Sequence, residues 1–448
     1  MASMRAFKQI VIVAAASLGL GALAPAVLAS DAQGCAETLV VPIQWADAVE
    51  RLVRCNPEVL LSNAAMSGAR AERQIAGQIP NPQASFGAGS INPQRGIKGS
   101  NQEVQVDWLM RIDQLIERGG KRGLRIARAE SGLLASRWQA AEARRTGLLA
   151  LSHAWSELWT SQQREALLES ALRDFQRIEQ VSRIRLDAGD IAQADYSRVV
   201  IDLQRIENDR AQAQSDRIRA QQLLGFVLGL STPPTDLALS GPWPALQAGF
   251  PDADPLGLRP EIAAAQAQLD QANTARELAR RLATRDVSVG FQADRYPAPA
   301  GDGNTFGLYF SVPLFAWHRF EGEIARADSE VTAAQINFQR LSQQASAQQT
   351  VLLQDRDIAL NRWRRLRENA LPLGDRLSAS IRLAYEQRAI SLLDMLDSLR
   401  VYRLLQADTL EARLQFEKSD ALARALLRVS PQANDPVFRF VGIPETQP

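Results

Sequence analysis

The sequence is short of the residues that carry chemistry. Its two histidines, His153 and His318, lie far apart, its five methionines are scattered, and its two cysteines, Cys35 and Cys55, both fall near the N-terminus. These residues offer no metal-ligand spacing and no soft-metal methionine relay. The chain also lacks a nucleophile elbow and a paired-carboxylate cleft. The absences argue against an enzyme and imply no cofactor and no resident metal. His153, in a run of apolar neighbours, and His318, among aromatics, read as structural or surface residues. Charge of one sign is missing too: 51 basic residues are interspersed with 50 acidic ones, a net charge of +1. A nucleic-acid partner would want a basic excess on one face. The last lack is apolar length. Past residue 29 nothing approaches the ~20 apolar residues of a membrane-spanning helix, so a membrane role leaves only β-strands.

The first 29 residues have the form of a secretory signal peptide. Arg5 and Lys8 precede an apolar run from Ile10 to about Leu23, and Val27-Leu28-Ala29 suits cleavage after Ala29. The short core and the exit through Pro25 disfavour a membrane anchor. In an oxidising compartment Cys35 and Cys55 could pair, closing a loop worth about 3 kcal/mol on the chain-entropy estimate. Two unpaired thiols are the alternative. Lipidation of Cys35 fits less well, because Asp31-Ala32-Gln33-Gly34 is polar where an apolar residue is wanted.

The remainder says the same thing twice. Asn56-Pro57-Glu58-Val59 opens one half and Arg259-Pro260-Glu261-Ile262 the other, and Ile191 precedes Asp195 as Ile390 precedes Asp394. Each half runs through strand-like alternation, a polar Gly/Pro loop, more alternation and two long helical stretches. The period is far longer than a solenoid repeat. It divides the chain into a first unit (30–230), a proline-rich linker (231–258), a second unit (259–428) and an irregular tail (429–448).

The helical stretches are unusually long. About 121–186 lacks proline and would reach roughly 90 Å or more. About 320–368 has nothing to stop it until Pro372. Within it Ile324, Ala327, Val331, Ala334, Phe338, Leu341 and Ala345 keep the 3-4-3-4 spacing of a coiled-coil seam. The return helices carry seams through Tyr196, Val199 or Val200, Leu203 and Ile206 towards Leu223 and Val227, and through Leu392, Leu396, Leu399 and Tyr402 towards Leu410, Leu414 and Leu422. The wall of a tunnel needs such length. A soluble coiled-coil scaffold would fit the helices as well.

Four strand segments count against the scaffold. Val104, Val106, Trp108, Met110 and Ile112 alternate with Gln105, Asp107, Leu109 and Arg111; Val287 to Ala293 and Phe306 to Val312 alternate likewise. The segment 83–90, marked by Ala84, Phe86 and Ala88, is the weakest. The strands are near the length a tilted strand needs to cross a bilayer, and polar, turn-rich loops join them in pairs. Phe315, Trp317 and Phe320 follow where an interfacial aromatic girdle would sit. A small soluble sheet with one buried face is the other reading. About eight strands is the lower limit for a closed transmembrane barrel, so four per chain require several chains, and three chains supply twelve.

In their order and spacing, several motifs resemble the outer-membrane factors of the TolC type, over nearly the whole mature sequence. They are the Asn-Pro-Glu and Arg-Pro-Glu starts, Gly119-Gly120-Lys121-Arg122, Val312-Pro313-Leu314-Phe315 with Gly322-Glu323-Ile324, and Leu393-Asp394-Met395-Leu396-Asp397 after Tyr385. The resemblance implies a mostly α chain with membrane β. Its homotrimer would join a twelve-stranded outer-membrane β-barrel, four strands per chain, to a long α-helical periplasmic barrel, with 231–258 as a belt. It implies outer-membrane lipid, a periplasmic adaptor and an inner-membrane resistance-nodulation-division pump as partners, and a passive exit duct as the function. The Gly-Gly-Lys-Arg junction and the Pro-Leu-Phe…Gly-Glu-Ile segment are most similar to the heavy-metal efflux branch, although 315–322 is richer in aromatics than that pattern. Gly119–Arg122 lacks the earlier glycine and following Ser/Thr of a phosphate-binding loop.

Acidic residues mark the hairpin tips. Asp187 and Asp190 flank Gly189, Asp195 begins a return helix, and Asp394 and Asp397 share a helix face. Repeated in a trimer they would ring the narrow end of a tunnel and favour cations; helix capping is the competing role. By resemblance, Asp394 and Asp397 match acidic rings at the periplasmic aperture, and Tyr385 and Asp195 a latch holding the inner hairpin closed. Where the family often carries a basic residue this chain has Ile390, and Arg388 stands in for it. The tips, with Gly189, Asp190, Ile191 and Ile390, are the expected adaptor-docking surface, their isoleucines exposed. Metal cations are the favoured cargo. A drug-efflux or type I secretion channel and, more remotely, a soluble periplasmic scaffold are the alternatives.

Overall fold

The computed structural model describes residues 35, 41–89, 106–230, 237–241, 259–296, 303–387 and 389–427. The signal segment 1–29, the tail 429–448, most of the linker, the strand-joining loops and Arg388 lie outside the described residues. The elements below belong to the unit 41–448, which is distinct from 1–40. Cys35 and Cys55 are both disulfide-bonded.

Helices α1 (Trp45–Cys55) and α2 (Pro57–Ala76) lead to strands β1 (Gln83–Gly89) and β2 (Asp107–Ile116). Then come α3 (Lys121–Asp187, 67 residues) and α4 (Gln193–Val227, 35 residues). The order then repeats: α5 (Pro260–Arg281), β3 (Val287–Tyr296), β4 (Gly303–Ser311), α6 (Glu321–Arg364), a π-helical turn (Arg365–Ala370), α7 (Leu371–Glu386) and α8 (Leu392–Leu427). The copies match closely in length. Against the 67 residues of α3 stand 44, 6 and 16 in succession, and the return helices have 35 and 36. At its rise per residue α3 spans about 100 Å.

Pro372 does not end the helical path as expected. The wider π turn just before it makes room for the pyrrolidine ring and absorbs the loss of one N–H donor, and α7 continues with Pro372 in its first turn. The α6 seam holds, with Ala327, Val331 and Ala345 buried and Leu352 extending it. In α4 the seventh-residue steps from Ile206 pass through Ala213 and Ala220 to Leu224 and Val227. Leu223 therefore turns outward, at 49% exposed.

The repeat openings fasten helix ends. The Asn56 side chain accepts from the N–H groups of Glu58 and Val59, capping α2, while its Nδ2 donates to the Val227 carbonyl at 2.8 Å. Arg51 Nε donates to the next carbonyl, Leu228, at 3.2 Å. Gly229 ends α4 at φ 70°, and a Cβ there would lie 2.1 Å from the Cys55 carbonyl oxygen. Only glycine fits both the angle and the gap. Around this knot Leu52, Val59, Leu148, Leu151, Leu224 and Trp155 are buried, with Trp45 edge-on to Trp155 at 5.3 Å. Of the linker, Leu237 is buried and residue 239 bridges Ile43 in parallel. Deeper in the bundle, fully buried Asp420 accepts from Arg356 Nε at 2.7 Å and Arg424 Nε at 2.6 Å.

The four strands form one antiparallel sheet in the order β1-β2-β3-β4, so the β2–β3 ladder joins the two repeats. The second strand begins at Asp107 and runs to Ile116, later than expected, because its pairing extends to Ile116 with Val287. Residues 104 and 105 lie outside the described residues.

Candidate functional site

The sheet has two faces of opposite character. Its register sets Ala84, Phe86 and Ala88 beside Trp108, Met110 and Ile112, then Val289, Phe291 and Ala293, then Phe306, Leu308 and Phe310. Phe86, Phe306, Leu308 and Phe310 are each 70–73% exposed, and no described element covers this face. The reverse face carries Ser85, Asp107, Arg111, Asp113, Gln292, Asp294, Thr305 and Tyr309. There Arg111 donates to Asp113 Oδ1 through Nε at 2.9 Å and Nη2 at 2.7 Å, with its guanidinium 4.6 Å from the Tyr309 ring centroid. Gly290 leaves the room, since a Cβ there would lie 2.3 Å from Asp113 Oδ1. One apolar and one polar face is the alternation that a strand between lipid and a wet interior would need. A soluble sheet would bury its apolar face. Among the described residues β1 and β4 each keep one edge unpaired, and no helix is long and apolar enough to cross a membrane.

Where the sheet meets the long helices, Lys121 is buried and donates to the Thr284 carbonyl at 2.7 Å and Asp286 Oδ2 at 2.8 Å. Asp286 also accepts from the Arg118 N–H at 2.8 Å. Burial pushes the Asp286 carboxyl up, but these donors outweigh it and hold it below the usual carboxylate range. The lysine of the Gly-Gly-Lys-Arg motif is thus a clasp between the repeats. Its counterpart is the turn before α6, where Phe320 takes φ 66° against 71° at Gly120. The backbone there is strained, and the Phe320 ring packs between Phe315 at 5.2 Å and His318 at 4.7 Å.

At the other end of the helices the two hairpin tips lie side by side. Gly189 closes the first at φ 78°, with the Asp190 N–H donating to Arg185 O at 2.8 Å; the Ala389 N–H donates to Ala384 O at 2.8 Å in the second. Beneath them Phe175, Val199, Ile206, Leu392, Met395, Leu396 and Leu399 form a core against which Ile191, Ile390 and Tyr385 pack. The two isoleucines are therefore half-buried against this core, less exposed than expected.

Arg185, Asp190, Ile191, Tyr385, Ile390 and Leu392 line a solvent-open pocket of about 250 Å³. Tyr385 is tied across the hairpins to Arg185, whose Nη1 donates to the phenol oxygen at 2.9 Å with the guanidinium 4.9 Å from the ring centroid. A second tie runs from Arg382 to Asp174 at 2.7 Å. Asp195, the expected latch partner, stays in the first turn of α4 with no side-chain hydrogen bond among the described residues. Arg185 was hidden in the sequence because a basic residue in a helix's last turn already has a role there. Asp394 takes part in a capping box: its carboxylate accepts from Ser391 Oγ at 2.7 Å, and its N–H donates back at 3.2 Å. Asp397 is exposed and one turn on.

Neither histidine joins a ligand cluster among the described residues. Burial pushes His153 below the usual imidazole value, and His318 Nε2 lies 3.2 Å from Glu323.

The Campylobacter jejuni CmeC outer membrane channel has a similar structure, with a TM-score of 0.73 at 15% identity, covering 88% of this chain and 87% of that one. The outer membrane protein VceC of Vibrio cholerae gives 0.70 at 16% identity over 85% and 95%. CusC, described for its folding and transmembrane channel formation, gives 0.69 at 15% identity over 85% and 91%. The chain has the fold of these outer-membrane channels. Among family models and curated protein sequences nothing matches it.

Proposed function

We propose that this chain is the outer-membrane channel of a tripartite efflux system, a passive exit duct and not an enzyme. The observation that carries the reading is the sheet, apolar on the uncovered face, polar on the other and open at both edges, standing at one end of a helix about 100 Å long. Three copies would close a twelve-stranded barrel and remove the open edges. The polar face would line the lumen, and the helices would wall a periplasmic tunnel ending at the tips. An adaptor would meet the tips and an inner-membrane pump would load the duct. The motif resemblance and the exposed carboxylates Asp187, Asp190 and Asp397 favour metal cations as cargo. Asp394 contributes less, being committed to its cap.

The test has two stages. The native protein should need detergent for extraction and should form ion-conducting channels in planar bilayers; solubility without detergent would return the scaffold reading. Deletion of the gene should then sensitise cells to divalent cations. Sensitivity to hydrophobic drugs alone, or loss of a secreted protein, would refute the metal cargo and leave the channel standing.

A further inference from the structure

The apolar face of the sheet ends on two arginines. The β2–β3 ladder pairs Ile116 with Val287, and one alternation step further in the same register sets Arg118 opposite Arg285. Both lie just past the ends of the paired strands, where parity carried on from Ile116 and Val287 would keep them on the apolar face. Their neighbours Glu117 and Asp286 continue the polar face, and those carboxylates are committed to Arg125 and Lys121. Arg118 and Arg285 are exposed, and neither has an ion pair among the described residues. The Arg118 backbone N–H reaches Asp286, and the Arg285 guanidinium stands 5.7 Å from the Phe315 ring centroid. Like charges directly opposite on one face repel, unless an anion lies between them.

The loop beside them holds Leu314 at 80% and Trp317 at 98% exposed. Tryptophan is enriched at the border of acyl chains and headgroups. Arg118 lies two residues past the last apolar row, a step of about 7 Å, and α3 leaves the sheet three residues later. We infer that Arg118 and Arg285 clamp the phosphate of an anionic phospholipid in the leaflet nearest the helices. Its acyl chains lie along the apolar face and its border is marked by Leu314 and Trp317. Charge complementarity selects the headgroup, and continuity with the apolar face selects a bilayer lipid over free phosphate.

A lipid clamp presupposes that the sheet lies in a bilayer, so insertion is scored separately. The detergent-purified full-length protein is reconstituted into nanodiscs holding phosphatidylglycerol and phosphatidylcholine in equal amounts. Retained lipid is then counted by native mass spectrometry, with inorganic phosphate as a competitor. The native protein should retain phosphatidylglycerol preferentially. Each arginine is worth about fivefold near a membrane surface, so R118Q/R285Q should lower the preference by roughly twenty-five-fold while insertion stays intact. The control R326Q, on α6 and already paired with Glu330, should leave it unchanged. An inserted native protein without preference, a double variant that keeps it, or displacement by millimolar phosphate would overturn the clamp. Failure to insert would instead overturn the membrane reading on which it stands.

Discussion

Tyr385→Phe tests whether the cross-hairpin tie holds the tips together. The substitution keeps the ring, its packing against the core and the stacked guanidinium, and removes only the oxygen that accepts from Arg185 at 2.9 Å. A hydrogen bond to a charged donor contributes about 1.5–3 kcal/mol. Both side chains are half-exposed here, so the lower end applies. About 1.4 kcal/mol is a factor of ten in an equilibrium, and the ratio of closed to open tips should fall by about that much. Arg185→Ala removes the stacked cation as well and should add roughly 0.5–1 kcal/mol. Single-channel recording in planar bilayers reads the ratio as the fraction of time at high conductance. Because the two side chains act on each other, the double variant should be no more open than R185A alone, a coupling equal to the whole Y385F effect, about 1.5 kcal/mol. Strictly additive effects, or an unchanged open fraction in Y385F, would show that the tie does not hold the aperture.

Three other outcomes are expected. Gly229→Ala combines a left-handed backbone angle, costing about 1–2 kcal/mol, with a clash on the Cys55 carbonyl, so thermal unfolding in detergent should shift down by several degrees; an unshifted transition would mean the α4 end is not fixed there. Lys121→Met leaves the partly buried Asp286 without its nearest cation, at a cost of about 1–3 kcal/mol, and should loosen the sheet–helix junction to limited proteolysis while leaving the tips protected. His153 has its imidazole value lowered by burial, so the neutral form is the one the fold favours. The contribution of His153 to stability is fully present above pH 6.5 and lost as pH falls below it. His153→Gln should flatten the pH dependence of the melting temperature between pH 7.5 and 5, and an identical slope would discount the histidine.

The fold was legible where physics acts locally. Missing prolines, a seven-residue seam and four runs of alternation fix helices and strands with no knowledge of what they touch. The duplicated openings did more, since a repeat forces both halves into one pattern. Legibility stopped where an outcome depended on distant neighbours. Pro372 reads as a stop until a π turn upstream absorbs it. Leu223 and Leu224 are indistinguishable until Ala213 and Ala220 carry the seam past one of them. At the tips, Ile191 and Ile390 look exposed because no sequence rule brings Phe175, Val199 and Met395 together beneath them.

The site divides the same way. Asp394 could be read as a ring carboxylate or a cap from its position alone, and only the bond to Ser391 decides that the cap is made. Arg185 lies 200 residues from Tyr385 and was invisible as its partner. On the proposed reading, a duct would hold cargo weakly along a wall, so no side chain would have to be poised as a catalytic group is, and little chemistry would appear in the sequence. The residues with strong partners are those that fix the wall: Lys121 on Asp286 at the junction, Asp420 between two arginines in the bundle, and Arg185 on Tyr385 at the tips. The first two join elements that have no reason to move. The third joins two hairpins through half-exposed side chains at the far end of the bundle, where a bond of about 1.5 kcal/mol can be broken by a partner binding there. Variants at the junction or in the bundle should therefore change stability, and only variants at the tip should change conductance at constant stability.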